Sequence, residues 1–109
     1  MKTIIIAAVI ASALTGVAQA APKVSDKEFL QAARCRGLAA SEGLGPVDTA
    51  AVDLLLRTEG YPRALSLKLS ANTKMKAAQA QGDKAEGAKK EKLLAERQDT
   101  CTSWLQGGQ

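Results

Sequence analysis

The stretch SDKEFLQAARCRGLAA, residues 25–40, contains the two features on which the predicted fold depends: a helix start signal and one of the two cysteines. Ser25 and Glu28 form a capping-box pattern, in which the serine hydroxyl accepts from the Glu28 backbone N–H and the Glu28 side chain reaches back. Acidic residues in this first turn also suit the positive end of a helix dipole. The stretch therefore predicts a first helix over 26–40, which tolerates Gly37 at a cost of up to about 1 kcal/mol.

Residues 1–20, MKTIIIAAVIASALTGVAQA, have the pattern of a secretory signal peptide. A lysine supplies a positive start, an apolar run follows over 4–14, and small residues mark a cleavage site after Ala20. An uncleaved anchor is disfavoured, because the segment contains Thr, Ser, Gly and Gln and its apolar core is shorter than a bilayer-spanning helix. We therefore expect a periplasmic or secreted protein that consists of a single small domain over 21–109.

The two cysteines, Cys35 and Cys101, lie 66 positions apart. In the oxidising compartment that an exported chain reaches, an even cysteine count in a small domain indicates a disulfide. Closing this loop stabilises the fold by roughly 4 kcal/mol through chain entropy, which is comparable with the whole stability of such a domain. A redox pair is disfavoured because the Cys-x-x-Cys spacing is absent, whereas a bridge between two chains stays open. Arg34 and Arg36 are interpreted as exposed neighbours of the bridge.

Capping and stop signals divide the rest of the chain into three further predicted helices, over 48–59, 62–81 and 84–105. Asp48 is expected as the N-cap of the second helix. Gly60 fits a left-handed position just beyond that helix, and Pro62 fits the first turn of the next. These signals predict short connections between successive helices.

The boundary between the third and fourth predicted helices has two interpretations. Gly82 and Asp83 form the only break there, so 62–105 is either a hairpin, which we favour, or one helix roughly 60 Å long. In both cases the chain predicts an all-α fold, a small bundle of about four helices that one disulfide staples together. Residues 107–109 are expected to form a flexible tail.

The residue inventory argues against catalysis and against bound cofactors. The chain contains no histidine, so neither a Ser-His-Asp arrangement nor a histidine metal ligand is available. Phosphate-binding, dinucleotide-binding and haem-attachment motifs are absent as well. Asp48 and Asp53, the acidic pair nearest to a catalytic pattern, each have a local role at the start of the second helix. We expect a protein that is not an enzyme and that holds no cofactor and no metal.

A lysine-rich window over 68–92 is the asymmetric charge feature of the chain, with a net charge of +4. Its lysines are Lys68, Lys74, Lys76, Lys84, Lys89, Lys90 and Lys92. We interpret them as the solvated face of two helices; the alternative is contact with an anionic surface, either lipid headgroups or an acidic polymer. Nucleic acid is disfavoured, because no aromatic residues are interleaved with the lysines.

Together these features predict an exported, non-enzymatic helical protein, monomeric, that acts by binding a protein partner in the cell envelope. The first alternative is an electrostatic binder of anionic envelope components through the window over 68–92. In size, helical content and its single disulfide, the chain is also similar to small periplasmic acid-stress chaperones. That architectural resemblance implies a third function, the protection of unfolded clients.

Overall fold

The structure, a computed structural model, describes residues 24–108, and every regular element among them is an α-helix. The helices are α1 (Asp26–Ala40), α2 (Ala50–Gly60), α3 (Leu65–Lys84), α4 (Gly87–Gln98) and α5 (Thr102–Leu105). The all-α prediction is confirmed for this part of the chain. The signal peptide predicted over 1–20 lies outside the described residues.

Helix α1 occupies the predicted range and begins with the predicted capping box. The Glu28 backbone N–H donates to Ser25 Oγ over 3.1 Å, and the Ser25 N–H donates to Glu28 Oε1 over 2.9 Å. Each carboxylate or hydroxyl oxygen thus satisfies a backbone donor that the helix itself leaves without a partner. Helix α1 is the element against which the others pack.

The boundaries of α2 and α3 differ from the prediction at the turn that joins them. Gly60 is the last residue of α2 rather than a left-handed residue beyond it, and Pro62 lies in the turn before α3. A Cβ on Gly60 would lie 3.2 Å from the Phe29 ring, so the glycine serves close packing. The N-cap of α2 is Thr49, although Asp48 Oδ1 does accept from the Ala50 N–H over 3.0 Å.

The segment predicted as one helix over 84–105 is two helices, so the described chain has five helices and not about four. Helix α4 ends at Gln98, and the short α5 begins after Cys101. The interruption places the cysteine where its Cα lies 5.4 Å from that of Cys35. The disulfide thus lies at the break between α4 and α5. Beyond α5, the Gly107 and Gly108 N–H groups donate to the carbonyl oxygens of Trp104 and Ser103, respectively.

The chain reverses between α3 and α4, as the hairpin interpretation predicted, but at Ala85 and Glu86 instead of Gly82 and Asp83. Arg34 of α1 contacts both arms of this hairpin, with hydrogen bonds to Gln81 over 3.3 Å and to Glu96 over 2.6 Å. Since α3 ends at Lys84 and α4 begins only at Gly87, the alternative of one continuous helix over 62–105 is excluded.

The two residues predicted to break the helix instead pack and bond inside α3. A Cβ on Gly82 would lie 2.4 Å from Ser41 Oγ, so only glycine fits at this contact with the end of α1. Asp83 accepts from Ser41 Oγ over 2.8 Å and from the Gly43 N–H over 3.2 Å. These hydrogen bonds hold the pKa of the Asp83 carboxyl below its usual value. Both residues fix α3 to the loop that follows α1.

Helices α1 and α3 run parallel and in unusually close contact. Phe29 shares a buried cluster with Ala71, while further along both helices a Cβ on Gly37 would lie only 2.1 Å from the Met75 carbonyl oxygen. Ala78 is fully buried next to the same glycine. Small residues on both helices permit this approach, so that the backbone of α1 packs directly against the backbone of α3.

The disulfide between Cys35 and Cys101 forms within one chain and is fully buried. It lies in a core cluster with Leu38, Leu44 and Leu93. Leu93 belongs to this cluster and Leu94, Trp104 and Leu105 pack against it, so the covalent link and apolar contacts together hold α4 and α5 against α1. The predicted intramolecular bridge is confirmed.

We expect the disulfide to supply about 4 kcal/mol of the free energy of unfolding, because it closes a loop of 66 positions. Urea unfolding of the oxidised chain and of the Cys35→Ala/Cys101→Ala variant measures this difference. Reductant should destabilise only the chain that retains both cysteines. Equal midpoints for the oxidised chain and the double variant would show that packing alone holds α4 and α5 in place.

Candidate functional site

The candidate site is a groove of about 400 Å³ at the end of the molecule where α1 begins and α2 ends. Three helices contribute its walls, and the exposed surface within it is mainly apolar. Its lining residues are Phe29, Ala33, Leu56, Arg57, Gly60, Tyr61, Lys68, Ala71, Asn72 and Met75. We call this feature the α2–α3 groove.

The floor of the groove combines large and small apolar residues. Phe29 is buried beneath it, and Leu56 and Met75 pack on the same cluster while remaining partly exposed. Ala33 and Ala71 have side chains too short to fill the space between α1 and α3 above the ring. The unfilled volume is thus a consequence of the small-residue contact between these helices, and the flexible methionine allows the floor to adapt.

The buried side chain of Arg63 supports the wall of the groove. Its side chain is only 7% exposed, with the guanidinium 4.9 Å from the centre of the Phe29 ring. It donates to the carbonyl oxygens of Glu59 over 2.7 Å and Val24 over 2.5 Å, and it pairs with the carboxylates of Asp26 and Glu59. These contacts join the start of α1 to the end of α2, so Arg63 positions the groove.

Two cations stand at the rim of the groove on opposite walls, Arg57 on α2 and Lys68 on α3. Within residues 24–108 neither forms an ion pair, and no lining residue carries a carboxylate. The hydrogen bond from Arg36 over 2.8 Å is the main reason that the pKa of the Asp53 carboxyl is lowered, and Arg57 adds a smaller effect at a distance. The rim therefore presents positive charge to solvent.

Exposed apolar side chains extend the groove along the outer side of α3. Tyr61 is 87% exposed, Leu65 67% and Leu69 57%. Leu65, Lys68, Leu69 and Asn72 follow the spacing of one helical face, so the two leucines adjoin the groove wall. Tyr61, Leu65, Leu69 and the α2–α3 groove are together called the docking face below.

The structure distributes the seven lysines of the window over 68–92 among several surfaces. Lys68 lines the α2–α3 groove, whereas Lys84 and Lys89 line a shallow depression of about 330 Å³ at the turn between α3 and α4. Lys74 lies on the outer surface of α3 beside Leu69. Helical spacing directs Lys76, Lys90 and Lys92 to further sides of their helices. Lys84 and Lys89 thus share one depression, and Lys68 and Lys74 lie at other sites.

Arg34 and Arg36, interpreted from the sequence as exposed neighbours of the disulfide, are half-buried in ion pairs. Arg34 makes a bidentate pair with Glu96, with distances of 2.6 and 2.9 Å, which ties α1 to α4. Arg36 donates to Asp53 over 2.8 Å and ties α1 to α2. Arg34 and Arg36 flank Cys35 on the central helix α1, so their side chains extend toward the neighbouring helices. Their role is therefore structural.

Sequence reasoning missed two further features. Arg97 donates to the carbonyl oxygens of Leu38, Leu44 and Gly45 over 2.9 to 3.2 Å, supplying a cation at the end of α1, whose last turn has no basic residue. The docking face was also missed, although the i, i+4 spacing of Leu65 and Leu69 was a usable signal.

Comparison with known proteins identifies no relatives: no protein family matches the chain, and no curated protein or solved structure is similar to it. Residues 24–108 contain no group of three or more acidic or cysteine side chains that could hold a metal ion. In the same part of the chain, no helix has the length and apolar character needed to cross a bilayer.

The ion pair between Arg34 and Glu96 makes a pH-dependent prediction. The hydrogen bonds from Arg34 hold the pKa of the Glu96 carboxyl below its unfolded-state value of about 4.3. Its stabilising contribution is therefore present above that value and is lost as the pH falls through the lower folded-state pKa. We expect Glu96→Gln to cost about 1 kcal/mol at pH 6 and progressively less towards pH 3.

Urea unfolding at several pH values between about 6 and 3 measures this effect. The matched control is Glu91→Gln, which removes an exposed carboxylate of the same helix that has no ion pair among the described residues. A stability difference between wild type and Glu96→Gln that does not change with pH would contradict the assignment.

Proposed function

We propose that this chain is an exported, non-enzymatic binding protein whose docking face holds a protein partner in the cell envelope. The observation that carries the proposal is the open α2–α3 groove, lined with apolar side chains and bordered by the exposed Tyr61, Leu65 and Leu69. A soluble monomer rarely exposes neighbouring large apolar residues on one side unless a partner covers them.

The composition of the docking face supports a protein partner. Tyrosine is enriched among the residues that dominate interface energies, because its large rigid ring buries much area at a low entropic cost. Tyr61, at 87% exposure, has most of its ring still available for burial. A concave floor beside such a residue fits the mode in which a partner's helix places its apolar side chains in a groove.

The location of the docking face supports binding without rearrangement. Arg63 and the α1–α3 contact hold its walls from behind, so the groove is formed before a partner arrives. A preformed site lowers the entropic cost of association. The export signal predicted over 1–20 and the buried disulfide support the cell envelope as the place where this occurs.

Site-specific photo-crosslinking in cells tests the proposal on the full chain. We expect p-benzoylphenylalanine at position 61 to give discrete protein adducts, because this position borders the groove. Asn72→Trp, which adds bulk at an exposed groove-lining position, should lower the adduct yield at least about tenfold. Ala77→Trp, exposed on the opposite side of the same helix and outside the groove, is the matched control and should leave the yield unchanged.

The two variants distinguish binding at the docking face from nonspecific association. If Asn72→Trp and Ala77→Trp lower the adduct yield equally, or if position 61 gives no adduct, the docking face does not bind a partner. Adducts that consist of many unfolded clients would favour the chaperone function instead.

A further inference from the structure

We infer that the segment which occupies the α2–α3 groove is an acidic amphipathic helix of the partner. This inference rests on the proposed function and adds the chemistry of the segment that docks. Its basis is the combination of an apolar floor with two rim cations, Arg57 and Lys68, on opposite walls of the groove.

The dimensions of the docking face suit about three turns of a helix. From Leu65 to Met75, α3 presents ten residue steps along the groove, which corresponds to roughly 15 Å. A helix of that length offers apolar side chains at i, i+3 or i+4, and i+7. Phe29, Leu56 and Met75 form an apolar floor against which such a row can pack.

The positive charge of the rim favours acidic residues on the flanks of the docked helix. Arg57 is exposed and Lys68 half-buried, and neither forms an ion pair within the described chain. The carboxylates nearest in sequence to Arg57 are engaged elsewhere, Asp53 with Arg36 and Glu59 with Arg63. Acidic residues on both flanks of the docked helix would meet these cations, whereas basic flanks would be repelled.

An anionic lipid surface could also use apolar and basic side chains, but the shape of the site favours a helix. The accessible apolar surface of the site, at the partly exposed Leu56 and Met75, lies within a groove of about 400 Å³, which a flat surface of headgroups does not fill. A row of side chains that projects from a helix can enter the groove between α2 and α3.

Two matched synthetic peptides test the inference on the disulfide-bonded protein. Both have 16 residues and the same leucine face; one carries glutamates on its flanks and the other carries lysines. Fluorescence anisotropy should show that the acidic peptide binds at least about tenfold more tightly at low salt, as two rim charge pairs would give. The preference should shrink as the salt concentration rises.

Charge reversal at the rim provides the second arm. The Arg57→Glu/Lys68→Glu variant should lose the preference for the acidic peptide and bind the basic peptide more tightly. The matched control, Lys90→Glu/Lys92→Glu, makes the same change of net charge on α4, outside the α2–α3 groove, and should keep the original preference. Circular dichroism melts confirm that both variants are folded.

Three results would overturn the inference. These are equal affinity of the wild type for the two peptides, a preference that both charge-reversal variants lose equally, and binding only to phosphatidylglycerol vesicles. If crosslinking from position 61 is insensitive to the Arg57→Glu/Lys68→Glu variant, partner docking stands and the acidic helix is wrong. If the acidic peptide binds in the groove while crosslinking gives no adduct, the proposed function fails and the site's chemistry stands.

Discussion

The direct contact between the backbones of α1 and α3 is the constraint on which the rest of the structure depends. At Gly37 this contact leaves no room for even a methyl group, since a Cβ would lie 2.1 Å from the Met75 carbonyl oxygen. Near the end of α3, a Cβ on Gly82 would likewise be too close to a neighbour, here the side chain of Ser41, with Oγ 2.4 Å away. Because so little side-chain volume lies between them at Gly37, α1 and α3 gain stability from many close contacts there, in addition to the burial of Phe29 against Ala71.

The remaining elements are attached to this pair by apolar contacts and by specific polar or covalent links. Arg36 fixes α2, Arg34 fixes α4, and the disulfide fixes the residue before α5. The same close contact leaves the α2–α3 groove open, because the small residues Ala33 and Ala71 do not fill the space above Phe29. The packing that stabilises the fold thus also creates the candidate binding site.

The sequence was sufficient wherever a local signal determined the structure. The capping box at Ser25 predicted the start of α1, and the compartment and cysteine count predicted the disulfide. Local signals failed where tertiary contacts decide: Gly60 and Gly82 were interpreted as helix breakers, but both are helical residues that permit close packing. The groove could not be predicted because it depends on which helices are neighbours, and a single sequence without pairing information does not specify that.

Urea unfolding of Gly37→Ala tests the α1–α3 contact most directly. The expected change in the free energy of unfolding has the opposite sign to that of the same substitution in a solvent-exposed helix. In an open helix, alanine is more stable than glycine by about 1 kcal/mol. Against the Met75 carbonyl it should instead cost about 1 to 3 kcal/mol, since the helices must separate. Ala80→Gly, on the exposed side of α3, measures the helix propensity alone. A Gly37→Ala variant as stable as wild type, or more stable, would contradict the close contact.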